Sequence, residues 1–216
     1  MTFLARALAQ LLDALAPPSC AGCGAPTTAP FCDACGPITG PAAPRCIEGA
    51  PLIALGRYAP PLSSAIQRFK YEGRAELAPI LARLLSRVLE PYELPRTTVF
   101  VPVPLHPRRL ARRGYNQAAL IAQQLARARR LPCEPRLLLR TRDTEHQVGK
   151  ARAARQANAN GAFELRKAGL RRAVLVDDVI TTGSTVTACV RALARGGVQV
   201  LAVAALAQTA EADMPD

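Results

Sequence analysis

Asp177 and Asp178 stand side by side in the stretch A-V-L-V-D-D-V-I-T-T-G-S-T-V, residues 173–186. Neighbouring carboxylates are hydrogen-bond acceptors, suited to vicinal sugar hydroxyls. Just beyond them lie Thr181, Thr182, Gly183, Ser184 and Thr185, a turn of small hydroxyl residues around a glycine. The branched run Val174, Leu175 and Val176 ahead of the acids predicts a buried strand that ends at the acidic pair. Val186, Val190, Leu193 and Ala194 behind the turn predict a helix. A strand that feeds a helix through such a turn offers unpaired backbone N–H groups and the positive end of a helix dipole to an anion. Acids on one side and an anion turn on the other suit a phosphorylated ribose. The plainer alternative is a strand, an Asp turn and a Ser/Thr-capped helix.

A second constellation is Cys20-Ala-Gly-Cys23, eight residues, then Cys32-Asp-Ala-Cys35. Each C-x2-C pair presents two thiolates from one tight turn, and two such turns complete a closed tetrahedral zinc site of the structural kind. Redox chemistry at one pair is the rival, but the thioredoxin-like βαβ context it needs is missing. Cys46 is left over as a spare thiol, and Cys133 and Cys189 read as small packing residues.

Two basic segments could reach the same ligand. Residues 103–114, read as a loop after a strand, carry Arg108, Arg109, Arg112 and Arg113, which could grip a pyrophosphate or form a solvated basic face. Residues 140–160 form a long charged stretch with Arg142, Gln147, Lys150, Arg152 and Arg155. This stretch is either disordered or a cationic lid that closes over a pyrophosphate leaving group. His106 and His146 fall in these two segments and read more simply as surface residues than as ligand contacts.

These groups need a scaffold. With 216 residues, half of them hydrophobic, the chain can bury one good core plus a small appendage. The net charge of +12 comes almost entirely from arginine, since lysine occurs only at 70, 150 and 167. That charge favours anionic ligands, although arginine together with Ala and Pro enrichment also fits a GC-rich genome. With no Trp, five Phe and four Tyr, the chain is poorly suited to a base-stacking platform. The start of the chain reads as an amphipathic helix on Leu4, Leu8, Leu11, Leu12 and Leu15, not as a secretory signal. No apolar run is long enough to insert in a membrane, and a cytoplasmic protein with reduced thiols is expected.

Strands are expected at 52–58, 98–103, 163–165, 174–176 and 198–204, and helices opened by Pro60-Pro61 and ending near 71–73, at 75–89, 115–130 and after the hydroxyl turn. Residues 36–51, rich in Pro, Gly and Ala, read as a linker. Strands alternating with helices imply a mostly parallel α/β sheet with helices on both faces and ligands at the carboxyl ends of the strands. The expected division is 1–50, a helix and four-Cys module with linker, and 51–216, the α/β domain.

Six motifs in one order carry a family likeness. They are the four-Cys array, Y-A-P-P-L at 58–62 with F-K-Y-E-G-R at 69–74, V-P-V-P-L-H at 101–106, R-R-G-Y-N-Q at 112–117, R-T-R-D-T-E-H-Q at 140–147 with R-Q-A-N at 155–158, and the acid-plus-turn segment. Over nearly its whole length the chain resembles the ComF family of competence-type, phosphoribosyltransferase-like proteins. The acid-plus-turn segment itself resembles the signature of type I phosphoribosyltransferases for phosphoribosyl pyrophosphate (PRPP). The resemblance implies that Asp177 and Asp178 hold the ribose 2′- and 3′-hydroxyls and that the 181–185 turn holds the 5′-phosphate. It also implies Mg²⁺ with PRPP, structural Zn²⁺, and a link to DNA uptake through single-stranded DNA or a helicase partner. At Cys46 the chain departs from relatives that continue with a second cysteine knuckle. Two functions stay open: a PRPP-dependent transferase, and a non-catalytic binding protein on the same fold with PRPP at most a regulator. A third makes the zinc module the active part.

Overall fold

The computed structural model describes residues 18–36, 42–141, 162–166, 169 and 171–209. The expected N-terminal helix and most of the 140–160 stretch, with Arg142, Gln147, Lys150, Arg152, Arg155 and His146, lie outside the described residues. In chain order the elements are β1 (Arg45–Ile47), β2 (Ala50–Arg57), α1 (Leu62–Tyr71), α2 (Leu77–Leu89), β3 (Thr98–Pro102), α3 (Pro107–Arg113), α4 (Gln117–Arg129), β4 (Leu138–Arg140), β5 (Phe163–Leu165), β6 (Arg172–Ile180), α5 (Ser184–Arg195) and β7 (Gln199–Gln208).

Five strands form one sheet in the order β1-β2-β7-β6-β3. The pairs β2–β7, β7–β6 and β6–β3 are parallel, and the short β1 runs antiparallel to β2. Side chains of a strand alternate between faces, so a doubly covered sheet needs apolar residues at every position. In β6, Val174 and Val176 face one buried cluster with Phe100 and Ala204, while Ala173 and Leu175 face the other with Val99, Val101 and Val203. The first cluster is filled from α1, α2 and α4 by Ile66, Phe69, Leu81, Leu85, Ile121 and Leu125. The second takes Val186, Cys189, Val190 and Leu193 of α5. Phe69 is fully buried, and burial of one such side chain stabilises by about 1.5–3 kcal/mol. Helices therefore cover both faces of a mostly parallel sheet, as the alternating pattern requires. Cys20, Ala21, Phe31 and Cys35 of the cysteine module join the first cluster, so the module packs directly on the sheet domain.

Three local expectations need correction, and one strand pairing goes beyond them. The strand bearing the acids does not end at them: β6 continues to Ile180, with Asp177 opposite Ala205 and Val179 opposite Ala207 on the longer β7. Residues 103–114 are not all loop, because α3 occupies Pro107–Arg113. Its signals are legible in hindsight: Pro107 in the first turn, His106 accepting from the Arg108 N–H at 3.3 Å, and Gly114 closing the end at φ 79°. His106 thus caps a helix. The 36–51 stretch is more than a linker, since it contains β1. Finally, β4 pairs antiparallel with β5, Arg140 facing Phe163, so the two ends of the intervening basic segment lie side by side. The strand expected at 163–165 is β5, while three-residue β1 and β4 leave too short a pattern for periodicity to detect.

Candidate ligand site and metal centre

The site forms where β3 stops and β6 does not. The ladder between them runs to Pro102 opposite Val176, and the Val103 N–H donates to the Val176 carbonyl at 2.8 Å. Pro104 has no N–H to continue it. Asp177 and Asp178 therefore overhang the end of β3 while still held to β7 on their other side. The Asp178 N–H donates to Asp177 Oδ1 at 2.8 Å. Burial first, and then the adjacent Asp178 carboxylate, push the Asp177 carboxyl up to about 7, with the Lys70 and Arg140 charges pulling the other way. Near neutral pH Asp177 can thus donate as well as accept a hydrogen bond.

Lys70 of α1 places Nζ 2.7 Å from Asp178 Oδ1, with both side chains mostly buried. Lys70 escaped the sequence reading because a basic residue late in a helix ordinarily caps its carbonyl end. Its position in F-K-Y-E-G-R, directly after the fully buried Phe69, was the available signal.

Thr181, Thr182, Gly183, Ser184 and Thr185 connect β6 to α5. Gly183 caps the helix at φ 80°, a left-handed conformation that disfavours any side chain. The Thr182 and Ser184 hydroxyls lie 2.9 Å apart, and the Ser184 N–H donates to Thr182 Oγ1 at 3.3 Å. On the far side of the turn, Arg45 of β1 donates from Nη1 to the Thr181 carbonyl at 2.9 Å and from Nη2 to the Thr182 carbonyl at 2.8 Å. Nothing in the sequence pattern joined Arg45 to a turn 136 residues away.

Arg108, Arg109, Arg112 and Arg113 lie on α3, which follows β3, the strand beside β6. No residue of α3 is buried. Arg113 sits over the Tyr71 ring at 5.0 Å, donates to the Tyr71 hydroxyl at 3.3 Å and to Gln117 Oε1 at 3.4 Å, and is thereby held to the end of α1. The structure gives no contact between these four arginines and the acidic pair.

The sulfur atoms of Cys20, Cys23, Cys32 and Cys35 all lie within 4.8 Å of one another, with Cys23 and Cys32 at 3.6 Å. A tetrahedral zinc with Zn–S of about 2.3 Å needs sulfur separations of about 3.8 Å. The four thiols are therefore already gathered at metal-binding spacing, and soft sulfur donors suit zinc. They are the one such cluster among the described residues. Burial works against ionisation of Cys20, but N–H donors of Cys23, Cys32 and Gly22 outweigh it and bring the thiol down to about 6. Burial and the surrounding thiols push Cys35 up to about 12. The module is fastened to α1, where Arg68 Nη1 donates to the Cys20 carbonyl at 2.7 Å. Arg74 beyond it donates to Ser19 Oγ at 3.2 Å.

A mostly parallel sheet with helices on both faces, carrying an acid pair and the 181–185 turn at its carboxyl edge, is of the phosphoribosyltransferase-like fold class. The family described as phosphoribosyl transferase domain matches residues 110–216. Competence protein F of Haemophilus influenzae is 35% identical over 205 residues, covering 88% of this chain and 90% of that protein. DNA utilization protein YhgH of Escherichia coli K12 is 38% identical over 202 residues, covering 88% and 84%. Competence protein ComFC of Streptococcus pneumoniae is 28% identical over 147 residues, covering 67% and 62%. The chain belongs to the ComF family.

Proposed function

We propose that this protein binds PRPP, or a related ribose 5-phosphate ligand, as part of the handling of incoming DNA. The observation that carries the proposal is the overhang of Asp177 and Asp178 beyond β3, directly before the 181–185 turn and α5. In this reading the two carboxylates receive the ribose hydroxyls. Thr181, Thr182, Gly183, Ser184 and Thr185 receive the 5′-phosphate through backbone N–H groups, hydroxyls and the helix dipole. Lys70 keeps Asp178 in place. Arg108, Arg109, Arg112 and Arg113, with Arg142 and Arg155, supply positive charge toward a pyrophosphate, and Gln147 a neutral amide donor. Mg²⁺, held by hard oxygens such as the Asp177 and Asp178 carboxylates, would neutralise pyrophosphate charge. Zn²⁺ on Cys20, Cys23, Cys32 and Cys35 is structural, and reduced thiols accord with a cytoplasmic setting. Among the described residues no helix is long and apolar enough to cross a membrane.

If the protein is a transferase, an acceptor nucleophile forms a bond to C1 of the ribose as the C1–O bond to pyrophosphate breaks. The chain's own contribution is then positioning and stabilisation of the charge on the departing oxygen. Binding without transfer is the second reading, favoured by α3, on which Arg108, Leu110 and Arg112 are exposed and no residue is buried. That surface suits single-stranded DNA or a helicase partner, and the relatives are named for competence and DNA utilization. Calorimetric titration of the zinc-loaded protein with PRPP and Mg²⁺ tests the shared claim, and absence of heat at millimolar ligand would sink it. Pyrophosphate release with a defined acceptor separates transferase from binder. A DNA affinity that falls steeply with salt supports the binder.

A further inference from the structure

Arg45 stands at the meeting point of two parts of the chain that the sequence keeps apart. It comes from β1, just beyond the cysteine module, and its guanidinium spans two consecutive carbonyls of the hydroxyl turn, Thr181 at 2.9 Å and Thr182 at 2.8 Å. Its Nη2 also lies 3.0 Å from where a Cβ on Gly183 would be. The guanidinium is therefore seated flush against the turn, in space that only glycine leaves open. Ile47, two residues on and on the same face of β1, lies 3.6 Å from that same point and anchors the strand there. The β1–β2 turn is fastened in addition to α5 by Glu48, which pairs with Arg191 at 3.0 Å.

In a trans peptide the C=O and N–H point in opposite directions. Two carbonyls held by Arg45 on one side turn the N–H groups of Thr182 and Gly183 to the other side. A turn left to itself samples other orientations of these peptides, and an anion would have to order them on binding. The planar fork of arginine matches two parallel acceptors, whereas the rotating ammonium of lysine does not. Its fixed charge behind the turn adds to the dipole of the twelve-residue α5.

We infer that Arg45 is the positioning residue of the 5′-phosphate subsite: it presets the Thr182 and Gly183 amides for a ribose 5-phosphate. The inference rests on the assignment of that subsite under the proposed function and adds a residue from outside the phosphoribosyltransferase motif. It makes β1 part of the binding apparatus and places its essential contact behind the ligand.

The test uses the zinc-loaded full chain, with ribose 5-phosphate as the probe, for wild type, Arg45→Met and Arg45→Lys. Affinity is read by titration, fold by zinc content and melting temperature, and the turn by the ¹H–¹⁵N resonances of Thr182 and Gly183. Wild type is expected to bind saturably and Arg45→Met at least tenfold more weakly, with Arg45→Lys recovering only part of the loss. The free Arg45→Met protein should show displaced or broadened Thr182 and Gly183 amides. Should Arg45→Met fail to fold, Arg45→Lys alone decides, by a threefold or greater loss of affinity and the same amide changes. Wild-type binding with both variants within twofold and unchanged amides would overturn the positioning role while leaving the subsite standing. No binding by wild type would remove the subsite and this role with it.

Discussion

Asp177 is the residue whose chemistry is most displaced by the fold. Its carboxyl is raised from 3.8 to about 7 by burial and by Asp178. Between these values the folded state holds a proton that the unfolded state has released, so this group favours folding fully below pH 4 and loses that contribution as pH rises through 7. Asp177→Asn should melt higher than wild type at pH 8 and close to it at pH 4, a difference that thermal melts at the two pH values would check. Equal shifts at both would refute the assignment. A gain in stability on losing a functional group is the usual sign of a site built for a ligand. Lys70 opposes the rise of Asp177, so Lys70→Met should move the Asp177 titration upward, as read by carboxyl NMR, and weaken ribose 5-phosphate binding by roughly tenfold. Of these residues the acids were legible in sequence because two adjacent carboxylates before a hydroxyl turn are unusual. Lys70 and Arg45 were not, because each acts through a tertiary contact made by an ordinary-looking helix or strand residue.

Among the elements, the β6–turn–α5 unit was readable as a strand, a turn and a helix, and only the extent of the strand was misjudged. β-Pairing to β7 carries the backbone past the acids whatever their own strand preference. Gly183 is fixed by conformation and by space together. Gly183→Ala should cost about 1–2 kcal/mol from the left-handed backbone alone. It should also displace Arg45, so phosphate affinity should fall more than stability does, which paired melts and titrations would show. The R-R-G-Y-N-Q motif has a structural explanation. Gly114 closes α3, Tyr115 donates to the Phe69 carbonyl, Asn116 caps α4 by accepting from the Ala119 N–H, and its Nδ2 donates to the Val103 carbonyl at 3.0 Å. Gly114, Tyr115 and Asn116 of this motif thus tie together β3, α1, α3 and α4. Short β1 and β4 stayed hidden because each is only three residues long and is defined by its partner, whereas β5 lies at the expected 163–165.

At the scale of the whole molecule, α1 joins the two sites. Its last turn holds the Cys20 carbonyl through Arg68 and Asp178 through Lys70. Metal removal should therefore be felt at the ligand site. Chelation, or Cys20→Ser with Cys23→Ser, should lower the melting temperature, speed amide exchange in α1 and weaken ribose 5-phosphate binding; unchanged exchange in α1 would argue against the linkage. The parallel α/β architecture followed from alternating apolar segments, and the four-Cys module from its spacing. How the module packs was not legible, because burial of Cys20, Ala21, Phe31 and Cys35 depends on α1 and on the sheet beneath. The central claim is that the acids and the turn together hold a phosphoribosyl group. A crystal soaked with PRPP and Mg²⁺ tests it most directly, with an anomalous zinc peak as the internal check. The account predicts the ribose against Asp177 and Asp178, its 5′-phosphate in the 181–185 turn, and zinc among Cys20, Cys23, Cys32 and Cys35. PRPP bound elsewhere, with that edge of the sheet empty, would contradict it.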